Sequence, residues 1–500
     1  MIAAAERAPK IRAARRATRD VSVRAFLRGE DVWQVSFYAG SARKSQNEVA
    51  QVLLSDRTGR IQETWTGIQV AWTMARGYSG AFGRRANAPY VWIGLSLLFM
   101  LPFLRRPFRL LHLDLAVLLA FSISYAFFGA GRIGLSVPTV YPLLAYLLVR
   151  MIGLARARGR DGGLDPLPAL DLRVGPEFLG IAIVFLLGFR LGLNITGSNV
   201  IDVGYAGVIG ADRLTAGGEL YGNFPKDNPH GDTYGPFAYF AYVPFELALP
   251  WKGSWDALPA AHAASVAFDA GCAAVLWLLG RRLRGARLGL LLAYLWLAFP
   301  FSLLVSNSNS NDALVPLLVV ATLLLAGRPL ARGAMIALAG LSKFAPLGLG
   351  PLVATCPRHG DRRPTATLRF APATVLGFTL TAAVALVPVA LLEGGLLDFW
   401  ERTVGFQAGR DSPFSIWGYH DVRGPQTVMQ AGAALLAVAV AFVPRVRDTV
   451  SVAALAAAVI IALQIGVSHW FYLYIVWFAP LVWIALLARH AEPEQAIKPA

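Results

Sequence analysis

The sequence is poor in cysteine, in acid and in charge altogether. Two cysteines occur in 500 residues, Cys272 and Cys356. That excludes a disulfide-built scaffold and a thiolate metal cluster. Thirty Asp and Glu stand against 46 Lys and Arg, for a net charge of +16. Charged residues make up 15% of the chain, whereas a soluble domain carries about a quarter. Residues 1–28 are basic without an apolar core, so no signal peptide is expected there.

Hydrophobic residues fill the deficit. They make up 56% of the chain, and the mean hydropathy is +0.52. Apolar runs recur at the length of about 20 residues that a bilayer-spanning helix needs. The composition therefore predicts an all-α polytopic membrane protein. Helices are expected near 90–104, 113–130, 136–154, 178–196, 257–279, 286–306, 312–326, 370–392, 427–445, 449–467 and 470–488, about 11 spans.

The basic excess is split among short loops instead of forming one nucleic-acid-binding surface. Its clusters are Arg105, Arg106 and Arg109, Arg150 to Arg160, Arg281 to Arg287, Arg328 and Arg332, Arg358, Arg362 and Arg363, and Arg445 and Arg447. Clusters of this kind mark cytoplasmic loops. Residues 155–176 then lie inside, and 197–256 and 393–426 lie outside and hold most of the remaining acids. Two stretches fit poorly as plain spans. Residues 234–250 carry three prolines and read as an interfacial or re-entrant helix. Residues 329–355 have arginines near both ends and read as half-helices meeting near Lys343, since broken backbone at membrane depth must line a cavity.

Residues 1–88 differ in kind. VWQVSFY (32–38) alternates as a strand, and 48–65 reads as a hairpin turning at Asp56–Gly59. A small α+β module is expected, loosely similar to PepSY domains. Accessory helices at 89–174 and a catalytic membrane module at 175–490 complete the predicted organisation.

Four features carry chemistry. Asp202 lies just past an apolar segment, in IDVGYAGVIGADRL, with Asp212 ten residues on and plausible as a surface acid paired with Arg213. Lys343 is an ammonium within apolar sequence, where a charge is costly and usually faces a ligand or a pathway. SNSNSND (306–312) is an amide-rich turn suited to sugar hydroxyls or carbonyls. His469 opens SHWFYLYIVWFAP, whose aromatics fit an interfacial belt. A carboxylate, amides, an ammonium and an imidazole suit a reaction between a lipid phosphate ester and a hydroxyl. A transporter or flippase of lipid-linked sugars would instead show inverted internal repeats, and no convincing pair is present. A non-catalytic scaffold would leave these groups without a common use.

The order of IDVGYAGVIGADRLTAGGELY (201–221), TYGPFAYFAYVPF (233–245), SNSNSNDALVPLLVVATLLLAGR (306–328), GAMIALAGLSKFAPLGLGP (333–351) and SHWFYLYIVWFAP (468–480) resembles the GT-C glycosyltransferases, in particular the family-87 polyprenyl-phosphate-mannose-dependent mannosyltransferases. The resemblance covers about 175–490. It departs where SNSNSND replaces a glycine–glutamine–asparagine pattern and YGPF replaces a double proline. It implies an inverting hexosyltransferase, with mannose as the expected sugar, acting at the outer face of the plasma membrane. The donor would be a polyprenyl-phosphate sugar and the acceptor a lipid or glycan. Asp202 is the implied catalytic base, and Lys343 and His469 the donor-phosphate ligands. Tyr205, Tyr221, Tyr234, Asn309, Asn311 and Arg410 are the expected substrate-binding residues. No cofactor, metal site or nucleic acid is expected, with a divalent cation left open.

Overall fold

The computed structural model describes residues 1–491 except 30, 41–46, 78–82, 84, 105–108, 161–165, 357–370, 392–394, 411 and 446. Arg105, Arg106, Arg358, Arg362, Arg363, Glu393 and Asp411 fall outside the described residues. The chain divides into two compact units, 1–79 with 123–137, and 80–122 with 138–500.

The first unit is built on an antiparallel meander, β1 (Val21–Arg28), β2 (Val32–Ala39), β3 (Glu48–Ser55) and β4 (Ile61–Thr66), in the order β1-β2-β3-β4. Alternation puts Val35, Phe37, Ala50, Val52 and Leu54 on one face, because successive strand side chains point to opposite sides. Two short helices, α1 (Ile2–Glu6) and α2 (Pro9–Ala17), cover that face with Ala5, Ala8 and Ile11. The expected strand at 32–38 and the hairpin turning before Gly59 are both present, with Gly59 at φ +63°. The sequence reading missed β1 and both helices.

The second unit is helical. It contains α3 (Pro89–Met100), the ends of α4 (Leu110–Gly129) and α5 (Ile133–Arg160) that belong to it, α6 (Pro176–Gly197), α7 (Asp202–Ala216) and α8 (Pro259–Ala298). Then come α9 (Pro300–Ser308), α10 (Leu314–Leu324), α11 (Pro329–Ser342), α12 (Ala371–Ala390), α13 (Arg423–Ala439), α14 (Thr449–Gly466) and α15 (Ile475–Leu487).

Among the described residues six helices, α4, α5, α6, α8, α12 and α14, are long and apolar enough to cross a membrane, and five shorter apolar helices accompany them. Several of the apolar runs are broken by their own polar or proline residues. α9 ends at Asn309, held left-handed at φ +50°, and a single 3-10 turn, Asn311–Ala313, precedes α10. α11 stops at Ser342, and Lys343 is extended at φ −142°, ψ 133°. Residues 345–354 continue as a 3-10 turn and a short helix. The proline-rich stretch 234–250 forms two one-turn helices, Phe237–Phe240 and Val243–Ala248.

α8 is two helices joined at Arg284 (φ −150°, ψ 37°) and Gly285 (φ 76°). The halves fold against each other so closely that a Cβ on Gly280 would lie 2.7 Å from the Gly289 Cα. Arg190 of α6 clamps both halves. Its guanidinium reaches both oxygens of the buried Asp269 at 2.5 and 2.8 Å, and Trp296 Nε1 donates to the same carboxylate at 2.9 Å. α11 and α12 cross through reciprocal glycines. A Cβ on Gly333 would lie 2.0 Å from the Thr374 carbonyl oxygen, and one on Gly377 2.1 Å from that of Leu330.

Candidate active site

α7 is set by glycine. Gly204, Gly207 and Gly210 recur every third residue and face one side of the helix. Added Cβ atoms there would lie 2.1 Å from the Asn309 carbonyl oxygen, 2.6 Å from the Tyr242 ring and 2.2 Å from the Tyr239 ring. The backbone of α7 therefore lies directly on the amide turn and on the 233–245 segment. Ahead of it, the Asn199 and Ile201 amides donate to the Asn307 and Ser308 carbonyls at 3.1 and 3.0 Å. Asp202 is thus fixed as the first residue of α7, and the Val203 amide donates to its Oδ1 at 3.0 Å.

The next contacts bring in the remaining segments. A Cβ on Gly235 would lie 2.1 Å from the Leu341 carbonyl oxygen, so TYGPF lies on the last turn of α11. Lys343, just past that turn, is buried with its Nζ 4.1 Å from the Tyr234 ring centroid and 3.7 Å from Asp312 Oδ1. Trp477 of α15 donates to the same Oδ1 at 3.1 Å. Asp312 is 1% exposed, and its Oδ2 has no hydrogen-bond partner among the described residues. The five sequence segments, scattered over 280 positions from 201 to 480, meet here.

Asp202 lies near enough to this centre to feel Lys343 and Arg410, and protein crowds it although the residue is exposed. Crowding lifts its carboxyl above the ordinary range, against the opposing pull of the Val203 amide, Lys343 and Arg410. Arg410 follows the short helix Phe406–Gly409, with its guanidinium 5.7 Å from the Phe406 ring centroid. His469 Nδ1 shares a 2.8 Å hydrogen bond with Ser412 Oγ. Burial, then Arg410 and Lys343, push its imidazole well below the usual range, so it is neutral at pH 7. A neutral imidazole offers a donor but no charge.

The other expected residues are placed differently. Tyr234 belongs to the centre through Lys343. Tyr205 is fully buried, its ring packed on Trp251 and Trp255. Tyr221 packs on Tyr239 and Phe399 and donates to the Tyr234 carbonyl. Asn309 is fully buried and joins Asn194, Ser198 and Asn199, so it fastens the turn instead of facing a cavity. Asn311 is buried, with its Oδ1 unpartnered among the described residues. Asp212 lies about 15 Å from Asp202 along the helix axis. Its expected partner Arg213 donates to the Glu219 and Asn223 carbonyls, and its charge still acts on Asp212.

Sequence reasoning missed Asp312. It is the sole charged residue between Arg287 and Arg328, and the rule that singled out Lys343 applies to it equally. Ser412 carried no such signal. Among the described residues, no three His, Cys, Asp or Glu side chains gather as a metal site.

Several span-length helices, with helices broken around a buried ion pair, fit a multi-pass membrane protein with an enzyme-like polar centre. The model of glycosyltransferase family 87 matches residues 233–474. That match covers just under half of the chain and indicates a membrane glycosyltransferase. The matched stretch includes Tyr234, Asp312, Lys343, Arg410 and His469 and begins beyond Asp202. No curated protein resembles the chain at a significant level.

Proposed function

We propose that the protein transfers a hexose, mannose, from a polyprenyl-phosphate donor to a lipid or glycan acceptor, with inversion, at the outer face of the plasma membrane. The observation that carries this reading is the buried Lys343–Asp312 pair against the Tyr234 ring, with Asp202 near enough to feel the charges of Lys343 and Arg410. The acceptor oxygen attacks the anomeric carbon while Asp202 takes its proton. The bond from that carbon to the phosphate oxygen breaks, and the departing phosphate carries away the electron pair. Lys343 and Arg410 meet the charge that develops on it, and His469 offers a neutral donor. In-line attack on a β-linked donor gives an α-product. The arginine loops on the opposite side of the sequence topology support the outward placement.

The test is transfer by the purified protein from polyprenyl-phosphate mannose, with glucose and pentose donors alongside, in buffers with and without EDTA. General-base catalysis is worth about 10²–10⁴-fold, so Asp202→Asn should lose that much turnover while Asp212→Asn keeps most of it. Turnover of Asp202→Asn above about a tenth of wild type would remove Asp202 from the role.

A further inference from the structure

The break in α8 lies 25 residues beyond its first residue, Pro259, about 38 Å along a helix axis. It is therefore far from the segment that carries Asp202. A separate small cavity lies there, lined by Leu172, Leu288, Leu487, Arg284, Arg287 and His490 among others. Gly285, at positive φ, turns the chain between the two lining arginines.

The electrostatics of this cavity are lopsided. Neighbouring guanidiniums are matched: Arg150 pairs with Asp114 at 2.9 Å and Arg158 with Asp448 at 2.5 Å. Arg284, Arg287 and Arg489 have no carboxylate within 4.0 Å among the described residues. Arg284 spends its donors on the His490 and Leu283 carbonyls. The Nε atoms of Arg287 and Arg489 are buried with no partner among the described residues. A snorkelling arginine would keep its head in water, as the exposed Arg281 and Arg282 do in the preceding turn. Buried donors without acceptors are costly. Positive charge with no carboxylate in contact among the described residues, although Asp448 acts on Arg284 at longer range, stands beside leucines and fits a ligand that is anionic at one end and apolar at the other.

We propose that this cavity binds an anionic phospholipid. Its phosphodiester would lie on Arg284 and Arg287, whose planar forks match phosphate oxygens, and an acyl chain would run along the leucines. The site is independent of the transfer reaction and stands or falls without it.

The experiment is native mass spectrometry of the full-length, delipidated protein in detergent, with phosphatidylglycerol, phosphatidylcholine or inorganic phosphate added. Phosphatidylglycerol should stay bound at activation energies that strip phosphatidylcholine, and excess inorganic phosphate should not displace it. The double variant Arg284→Gln/Arg287→Gln should retain at least about fivefold less phosphatidylglycerol. The control Arg281→Gln/Arg282→Gln removes the same charge from exposed positions and should bind as wild type. If the double variant does not fold, Arg287→Gln alone carries the test, since that side chain is only half-buried. Equal retention of both lipids, full displacement by phosphate, or undiminished binding by the arginine variant would each overturn the proposal.

Discussion

Asp312 joins Lys343 and Trp477 through one oxygen, which makes it a positioning residue for the donor-phosphate site proposed above. Removing one member of a buried ion pair strands the other, a larger loss than removing both. Lys343→Met and Asp312→Asn should each weaken donor binding roughly 10- to 150-fold, the range set by a charge-assisted hydrogen bond. The double variant should fall short of the sum by about 0.5–3 kcal/mol. Additive losses in donor affinity would mean that the 3.7 Å contact does not couple the two.

The raised carboxyl of Asp202 has a sign that can be checked. A group that holds its proton more tightly when folded contributes stability below its unfolded pKa, near 3.9, and loses it as pH rises through the folded value. At pH 7 the ionised Asp202 therefore costs stability. Asp202→Asn should melt higher than wild type at pH 7, and its advantage should vanish below about pH 4. The acid limb of kcat/KM should likewise sit above the ordinary carboxylate range. His469 runs the other way. With its folded pKa depressed, its contribution is complete above about pH 6.5 and fades as pH falls further, so His469→Gln should flatten that part of the stability profile.

At the scale of elements, the glycine face of α7 is what aims Asp202. Gly204→Ala drives a methyl into the Asn309 carbonyl, and overpacking of this kind costs about 1–3 kcal/mol. Activity should fall with it, because the start of the helix must shift. Gly188 of α6 has nothing within 4 Å of its Cβ position. Gly188→Ala should be neutral or raise stability by up to about 1 kcal/mol, through helix propensity alone. Equal melting shifts in the two variants would refute this account of the packing.

Elements were legible where one signal dominated. The long apolar helices followed from run length, and the break at Lys343 followed from its charge and flanking arginines. The engagement of Asn309 with Asn194, Ser198 and Asn199 was not legible, because an amide in a polar turn reads alike whether it faces a sugar or its own backbone. The same holds for Tyr205, whose partners Trp251 and Trp255 lie about 50 residues away in sequence. Nothing local distinguishes a buried tyrosine from a ligand-facing one. β1 was missed although Val21, Val23 and Ala25 alternate, since the two short helices that bury them lie earlier in the chain.

At the scale of the molecule, the loops 197–256 and 393–426 come together. His230 stacks on Phe406 at 5.0 Å, and Arg402 lies 3.8 Å from Asp232. Both loops must therefore face the same side of a membrane. Cysteines at Lys252 and Gly409, both exposed, should react with an impermeant thiol reagent in intact cells, and one at Arg281 should not. The native Cys272 and Cys356 are buried and give a low background. Reaction at only one of the two loop positions would contradict the shared face, and reaction at Arg281→Cys would reverse the outward placement.

The shared oxygen of Asp312 also has a meaning in time. A ribosome emits this acid first, Lys343 some thirty residues later and Trp477 more than a hundred after that. Until Lys343 is made the nascent chain carries a carboxylate in apolar surroundings with neither partner, and until Trp477 is made it has only one of them. The charge must be tolerated by water or lipid headgroups until the closing helix arrives. The polar centre around Asp312 therefore cannot close before the helix that carries Trp477 is made.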